Sequence, residues 1–96
     1  MKLIGTNMYK IYLKKEVKKF IEKQDKNLKQ RIKKAFKELE NNPYPSNIKL
    51  DIKKLKASNN FRLRIGKFRF KYFIEDDILV VTIEEADSRG DIYKWK

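Results

Sequence analysis

The stretch that most constrains this chain runs Phe61-Arg62-Leu63-Arg64-Ile65-Gly66-Lys67-Phe68-Arg69-Phe70-Lys71-Tyr72. Apolar and cationic residues alternate on both sides of Gly66-Lys67, a period that fits half-buried strands and not a helix. A two-residue loop with glycine first is what a type II′ hairpin turn prefers. Counting outward from that turn predicts the register: Ile65 opposite Phe68, Arg64 opposite Arg69, Leu63 opposite Phe70, Arg62 opposite Lys71 and Phe61 opposite Tyr72. Phe61, Leu63, Ile65, Phe68, Phe70 and Tyr72 then share one face, and Arg62, Arg64, Arg69 and Lys71 the other. One face is core; the other is a cationic plate.

Like charges directly opposite one another across two strands cost stability, where opposite charges would contribute roughly 0.2–1 kcal/mol. Interleaved glutamates would have avoided that cost. Two readings follow, a solvated face in a lysine-rich chain and a polyanion-binding surface on a rigid sheet. Arginine favours the second, because lysine is otherwise the commoner cation in this sequence. A guanidinium is a planar fork that grips phosphate with two hydrogen bonds and does not deprotonate.

The charge of the whole chain points the same way. Lys and Arg number 25 against 13 Asp and Glu, a formal +12 that attracts phosphate backbones, anionic membranes or an acidic protein alike. Cysteine and histidine are both absent, which removes disulfides, thiolate metal sites, the commonest zinc ligand and the commonest acid-base residue. Catalysis would fall to Tyr, Lys, Glu or Asp, and neither a metal nor an organic cofactor is expected. A length of 96 residues suits one domain over 1–96. The N-terminal residues lack the apolar core of a signal peptide, and the run Ile78 to Val81 is far too short to span a bilayer. A soluble cytoplasmic protein with no membrane partner is the expectation.

Elsewhere the chain reads in order as follows. Met8 to Leu13 is a first strand, rich in aromatic and branched residues. Val17, Phe20 and Ile21 recur at helical spacing from about Lys15, and Leu28, Ile32, Ala35, Phe36 and Leu39 mark a second helix that stops at Asn41-Asn42-Pro43. The outer cations of these helices, Lys29, Arg31, Lys33, Lys34 and Lys37, read first as solvation. Pro43 to Asn47 is a turn, and Ile48 to Lys56 a loop or short irregular segment anchored by Ile48, Ile52 and Leu55. Lys53, Lys54 and Lys56 beside the hairpin would extend the plate. Phe73 to Asp77 reads as a tight acidic turn, and Ile78 to Ile83 as a strand covered on both faces. With Asp76-Asp77 as the turn, Glu84 falls opposite Arg69, as an ion-pair partner or a general base. Gly90 permits a turn that would bring Arg89 and Tyr93 back over the sheet.

Taken together, Lys54-Leu55-Lys56, the hairpin Phe61 to Tyr72 and Arg89-Gly90-Asp91-Ile92-Tyr93 resemble the RelE toxins over nearly the whole chain from Tyr9. The most specific parts are the aromatic-Arg-x-x-Tyr run from Phe68 to Tyr72 and the Arg-x-x-x-Tyr from Arg89 to Tyr93. The resemblance implies an α+β fold, with two N-terminal helices on a mainly antiparallel four-stranded sheet in the order β-α-α-β-β-β. It also implies a toxin that enters the ribosomal A site, cuts messenger RNA there and is held silent by a small cognate antitoxin in a hetero-oligomer. Arg69 matches the family's sheet arginine, Arg89 and Tyr93 its C-terminal arginine and tyrosine, and Arg62 and Arg64 its RNA-binding cations. The chain departs from the family around Glu84 to Ser88, where relatives carry glycine and a basic residue or histidine.

That chemistry needs no metal, since RNA supplies its 2′-hydroxyl as nucleophile and fixed guanidiniums stabilise charge on the phosphate oxygens. Arg69 and Arg89 are the expected stabilisers, and Tyr93 is the expected base, with Glu84 as substitute. Lys54, Lys56, Arg62, Arg64 and Lys71 would bind the backbone. Two alternatives stand beside this reading: a ParE-like toxin that poisons DNA gyrase, and a non-catalytic RNA-binding module.

Overall fold

The computed structural model describes residues 8–88. Its elements follow as β1 (Lys10–Leu13), α1 (Lys15–Glu22), α2 (Lys26–Asn41), β2 (Asp51–Lys54), β3 (Phe61–Ile65), β4 (Phe68–Glu75) and β5 (Val80–Asp87). The α+β class and the helix pair after the first strand agree with the sequence reading. The sheet has five strands rather than four, in the order β1-β5-β4-β3-β2. Pairing is antiparallel except between β1 and β5. No helix among the described residues is long and apolar enough to cross a membrane.

The added strand is β2, in the segment read as irregular from its weak periodicity. Ile52 pairs with Leu63 and is buried, so a short edge strand forms around one apolar anchor. Leu55 is buried as expected, but Ile48 is 94% exposed and anchors nothing. Asn47 does that work instead. Its buried amide donates to the carbonyls of Asn42 (2.9 Å) and Glu38 (3.3 Å), satisfying the end of α2 as the chain turns toward β2.

The central hairpin has the predicted register at all five pairs. Gly66 sits at φ +60°, as the first position of a II′ turn requires, and Lys67 keeps a negative φ. A second reason for glycine appears only in three dimensions. A Cβ at Gly66 would lie 3.3 Å from one terminal nitrogen of Arg31, which crosses from α2 over the turn.

The apolar face of the hairpin carries the core. Leu63, Phe70 and Tyr72 are fully buried together with Val81 and Ile83 of β5 and Val17 and Leu39 of the helices. Phe20 meets Phe68 and Phe70 edge-on with centroids 5.7 and 6.1 Å apart, and Phe36 meets Phe70 at 5.4 Å. The start of α2 is fixed by Asp25, whose carboxylate accepts from the Leu28 amide at 2.9 Å.

The turn after β4 differs from the sequence reading. Phe73, Ile74 and Glu75 extend β4, and the reversal is made by Asp76 to Leu79, with Leu79 in the left-handed region at φ 53°. That strained residue is held in place from β1, where the Lys10 amide donates to the Leu79 carbonyl at 2.8 Å. Asp76 adds a second tie. Its two carboxylate oxygens accept hydrogen bonds from the hydroxyls of Tyr9 and Tyr44, joining β1, the exit of α2 and the β4–β5 turn. As expected for its apolar run, β5 is buried on both faces over Val81, Thr82 and Ile83, with β4 on one side and β1 on the other.

The buried Tyr72 hydroxyl donates to the Pro43 carbonyl at 2.7 Å, so Tyr72→Phe strands a buried acceptor and should cost about 1–3 kcal/mol. Urea unfolding measures it, with a lower midpoint at unchanged slope as the expected outcome. Hydrogen bonds from Tyr44 and then Tyr9 hold the Asp76 carboxyl below its ordinary pKa. Its contribution is therefore complete above the unfolded-state value and is lost as pH falls from about 4 through the depressed folded value. Asp76→Asn should give a shallower acid limb in stability against pH, and superimposable limbs would show that the tie contributes nothing.

Candidate nucleic-acid interface

Strand alternation puts Arg62, Arg64, Arg69 and Lys71 on the sheet face opposite the helices. The register of β2 adds Lys53 beside Arg62. Lys54 pairs with Phe61 and so belongs to the helix side of the sheet by alternation; its ammonium donates to the Ser58 carbonyl at 2.9 Å, closing the β2–β3 loop. Lys56 lies beyond the end of β2, exposed. Of the three lysines expected to widen the plate, Lys53 is therefore the one the sheet aligns with it.

The plate is not a bare array of like charges, because both flanking strands send acids into it. Asp51 of β2 meets Arg62 at 3.0 Å, and Glu85 of β5 meets Lys71 at 2.9 Å. Asp87 stands opposite Arg69. The expected placement of Glu84 opposite Arg69 is thereby corrected. The longer β4–β5 turn shifts the register by two residues, and a β-bulge against Lys71 and Tyr72 then inserts Glu84 between the paired positions Ile83 and Glu85. The bulge reverses which residues face the plate. Without it, Ala86 would lie on the charged side and Glu85 and Asp87 against the core.

Arg62 is the most constrained cation. Its side chain is 13% exposed, its Nε hydrogen is buried without a partner, and Arg69 and Arg64 crowd the same guanidinium. Burial first, and then those two neighbours, push its pKa down, while Asp51 opposes the shift. Arg64 is exposed, with Nε turned toward the Gly66 carbonyl at 3.4 Å. Arg69 forms no hydrogen bond or ion pair among the described residues. The site thus holds one clamped guanidinium beside a directly opposed pair that is open to a ligand.

Several residues that shape this face escaped the sequence reading. Asp51 and Lys53 flank Ile52 in strand alternation, a signal too short to stand out. Glu85 and Asp87 were hidden by a bulge that no glycine marks. Tyr12 of β1 pairs with Thr82 and so shares the face, where its ring is 66% exposed and suited to stacking on a base. Arg89 and Tyr93 lie outside the described residues.

Comparison with known proteins decides the family. The sequence profile of the family described as "ParE toxin of type II toxin-antitoxin system, parDE" matches residues 11–91. This chain belongs to the RelE/ParE toxin superfamily. Over 66 residues it is 42% identical to "Putative toxin RelE1" of Methanocaldococcus jannaschii, covering 64% of this chain and 72% of that protein. Among solved structures it is similar to the archaeal RelE–RelB complex from Pyrococcus horikoshii, with a TM-score of 0.77 and 26% identity over 88% of this chain and 98% of the other. The RelB–RelE antitoxin–toxin complex from Methanococcus jannaschii matches with a TM-score of 0.68 and 26% identity, over 85% of this chain and 94% of the other. The superfamily toxin therefore presents its cations on a strand face fixed by the hairpin.

The Asp51 clamp is testable on the protein alone. Asp51→Asn leaves Arg62, crowded by Arg64 and Arg69, without its counter-charge, and Asp51 is 59% exposed, so a loss of about 1 kcal/mol is expected. Added salt should restore much of it by screening the repulsion, whereas wild-type stability should respond less. Equal salt responses would mean that Asp51 does not relieve the crowding.

Proposed function

We propose that this toxin is a ribosome-dependent endoribonuclease, which cleaves messenger RNA in the ribosomal A site and is silenced by a small cognate antitoxin. The observation that carries the reading is the open pair Arg64 and Arg69, directly opposed on a rigid hairpin beside the clamped Arg62. Such an arrangement offers preorganised donors to a phosphodiester at the moment negative charge builds on its oxygens. The antitoxin follows from the family and from charge: a toxin of net +12 calls for an acidic or amphipathic partner over its basic face. The structural relatives from Pyrococcus and Methanococcus are themselves toxin–antitoxin complexes.

In the proposed reaction the 2′-hydroxyl attacks the adjacent phosphorus, its proton leaves to a base, and the 5′-oxygen departs. Arg69 stabilises the phosphate oxygens, and Arg62, Arg64, Lys71 and Lys53 hold the backbone for in-line attack. Arg89 is the proposed second stabiliser. In the sequence it comes two residues after Asp87, the last residue of β5.

Tyr93 is the proposed base, a phenol ordinarily near pKa 10 that a guanidinium beside it would favour as phenolate. Tyrosines of the core do not compete for the role. Burial raises the pKa of Tyr72, and burial with the Asp76 hydrogen bond raises that of Tyr44. Glu84 loses its place as substitute base, because the bulge takes it out of the position opposite Arg69.

The matching profile is described as a ParE toxin, which supports a second reading as a gyrase poison. One set of assays separates the two. Expressed alone, the toxin should leave cut messages on stalled ribosomes and supercoiling intact, and a 2′-deoxy nucleotide at the cleaved position should abolish the cut. Arg69→Ala should slow cleavage by about 10²–10³-fold with RNA affinity little changed. Inhibited supercoiling with undamaged message would instead establish the gyrase reading, and an affinity loss matching the rate loss would leave a binding module.

A further inference from the structure

On the other side of the hairpin tip, α2 and the β2–β3 edge enclose a groove of about 600 Å³. Arg31, Lys34 and Lys37 line it from the helix, Lys49 from the loop before β2, and Arg64 from the hairpin. Two acids reach the same groove and both are engaged: Glu38 lies 3.7 Å from Lys49, and Asp51 holds Arg62. Arg31, Lys34 and Lys37 form no ion pair among the described residues. The same three cations continue along the outer surface of α2 beside Lys33 and Gln30. Solvation alone does not account for their convergence with Arg64.

We infer that this groove is a second phosphodiester-binding site, which takes the nucleic-acid strand as it passes around the hairpin edge from the cationic sheet face. The inference rests on the proposed RNA-directed function and extends it to a surface that function does not use. Arg64 is the link, since its register places it on the plate while its exposed side chain lines the groove. Arg31 is held over the Gly66 turn, between the two surfaces. Along the helix axis Arg31, Lys34 and Lys37 rise about 9 Å, the span of roughly two or three phosphates of one strand. A nucleic-acid backbone fits better than an amphipathic peptide. Of the groove's apolar side chains, Ala35 and Ile65 are buried at 8% and 7% exposure and Leu50 is half-buried, which leaves little apolar surface for the several anchors an amphipathic peptide needs.

The test is the salt dependence of binding to a single-stranded 2′-O-methyl oligouridine, which lacks the nucleophile and cannot be cut. Neutralising a phosphate contact on a single strand lowers the log–log salt slope by about 0.7. The triple variant Arg31→Gln/Lys34→Gln/Lys37→Gln should therefore lose about 2 from that slope, and Lys34→Gln alone about 0.7. Charge-matched Lys15→Gln/Lys18→Gln/Lys19→Gln on α1 should lose much less. All six positions are exposed and glutamine is a good helix former, so circular dichroism should show both triple variants folded. Equal losses in the two triple variants would reduce the effect to net charge and overturn the groove. So would an unchanged slope in the α2 variants while Arg62→Gln lowers it. Loss of antitoxin binding with the RNA slope unchanged would give the groove to the protein partner instead. Failure of the wild-type toxin to bind the probe while it still cuts message on ribosomes would overturn the groove alone, whereas failure to cut message would remove the functional reading itself.

Discussion

Core and charge in this toxin depend on one constraint, the pairing of β3 with β4 across Gly66-Lys67. Side chains along a strand point alternately to its two faces, so the register that buries Leu63 against Phe70 also sets Arg64 opposite Arg69. A slip of one residue would drive guanidiniums into the core and expose the aromatic rings. The hydrophobic driving force for folding therefore holds the cations in place on the other side. Crowded like charges are retained because their positions are set by burial rather than by their own interactions.

That crowding is relieved from outside the hairpin. Acids arrive from both neighbouring strands, Asp51 to Arg62 and Glu85 to Lys71, and they neutralise the periphery while Arg64 and Arg69 stay open. The β5 bulge is the device that makes this possible, since it rotates Glu85 and Asp87 onto the charged face and returns Ala86 to the core. A clamped arginine also has lower rotamer entropy left to lose when a phosphate arrives, which is the physical content of preorganisation.

The helices close the opposite face and carry a second set of cations to the hairpin tip. Arg31 leans over Gly66, so the turn that fixes the sheet register also brings α2 next to the plate. On the far side of the fold, the Asp76 carboxylate between Tyr9 and Tyr44 ties the β4–β5 turn to β1 and to the exit of α2. The long β5 strand is thus anchored at its start by this tie and at its end by pairing with β4, and it leads the chain out beside Arg69.

By itself the sequence determined the elements with strong periodicity: both helices, the hairpin with its register, and the membership of Arg62, Arg64, Arg69 and Lys71 in one face. Those features are local, because alternation and a glycine-led turn encode them within a dozen or so residues. Tertiary structure decided what depends on distant partners. Asp51–Lys54 became a strand because β3 offered an edge to pair with, not because its own pattern is strong. Lys54 left the charged face and Glu84 gave way to Glu85 and Asp87, since turn length and a bulge set the parity of a strand and neither has a local signature here. The groove between Arg31 and Arg64 exists only because residues far apart in sequence are folded together, which periodicity cannot report.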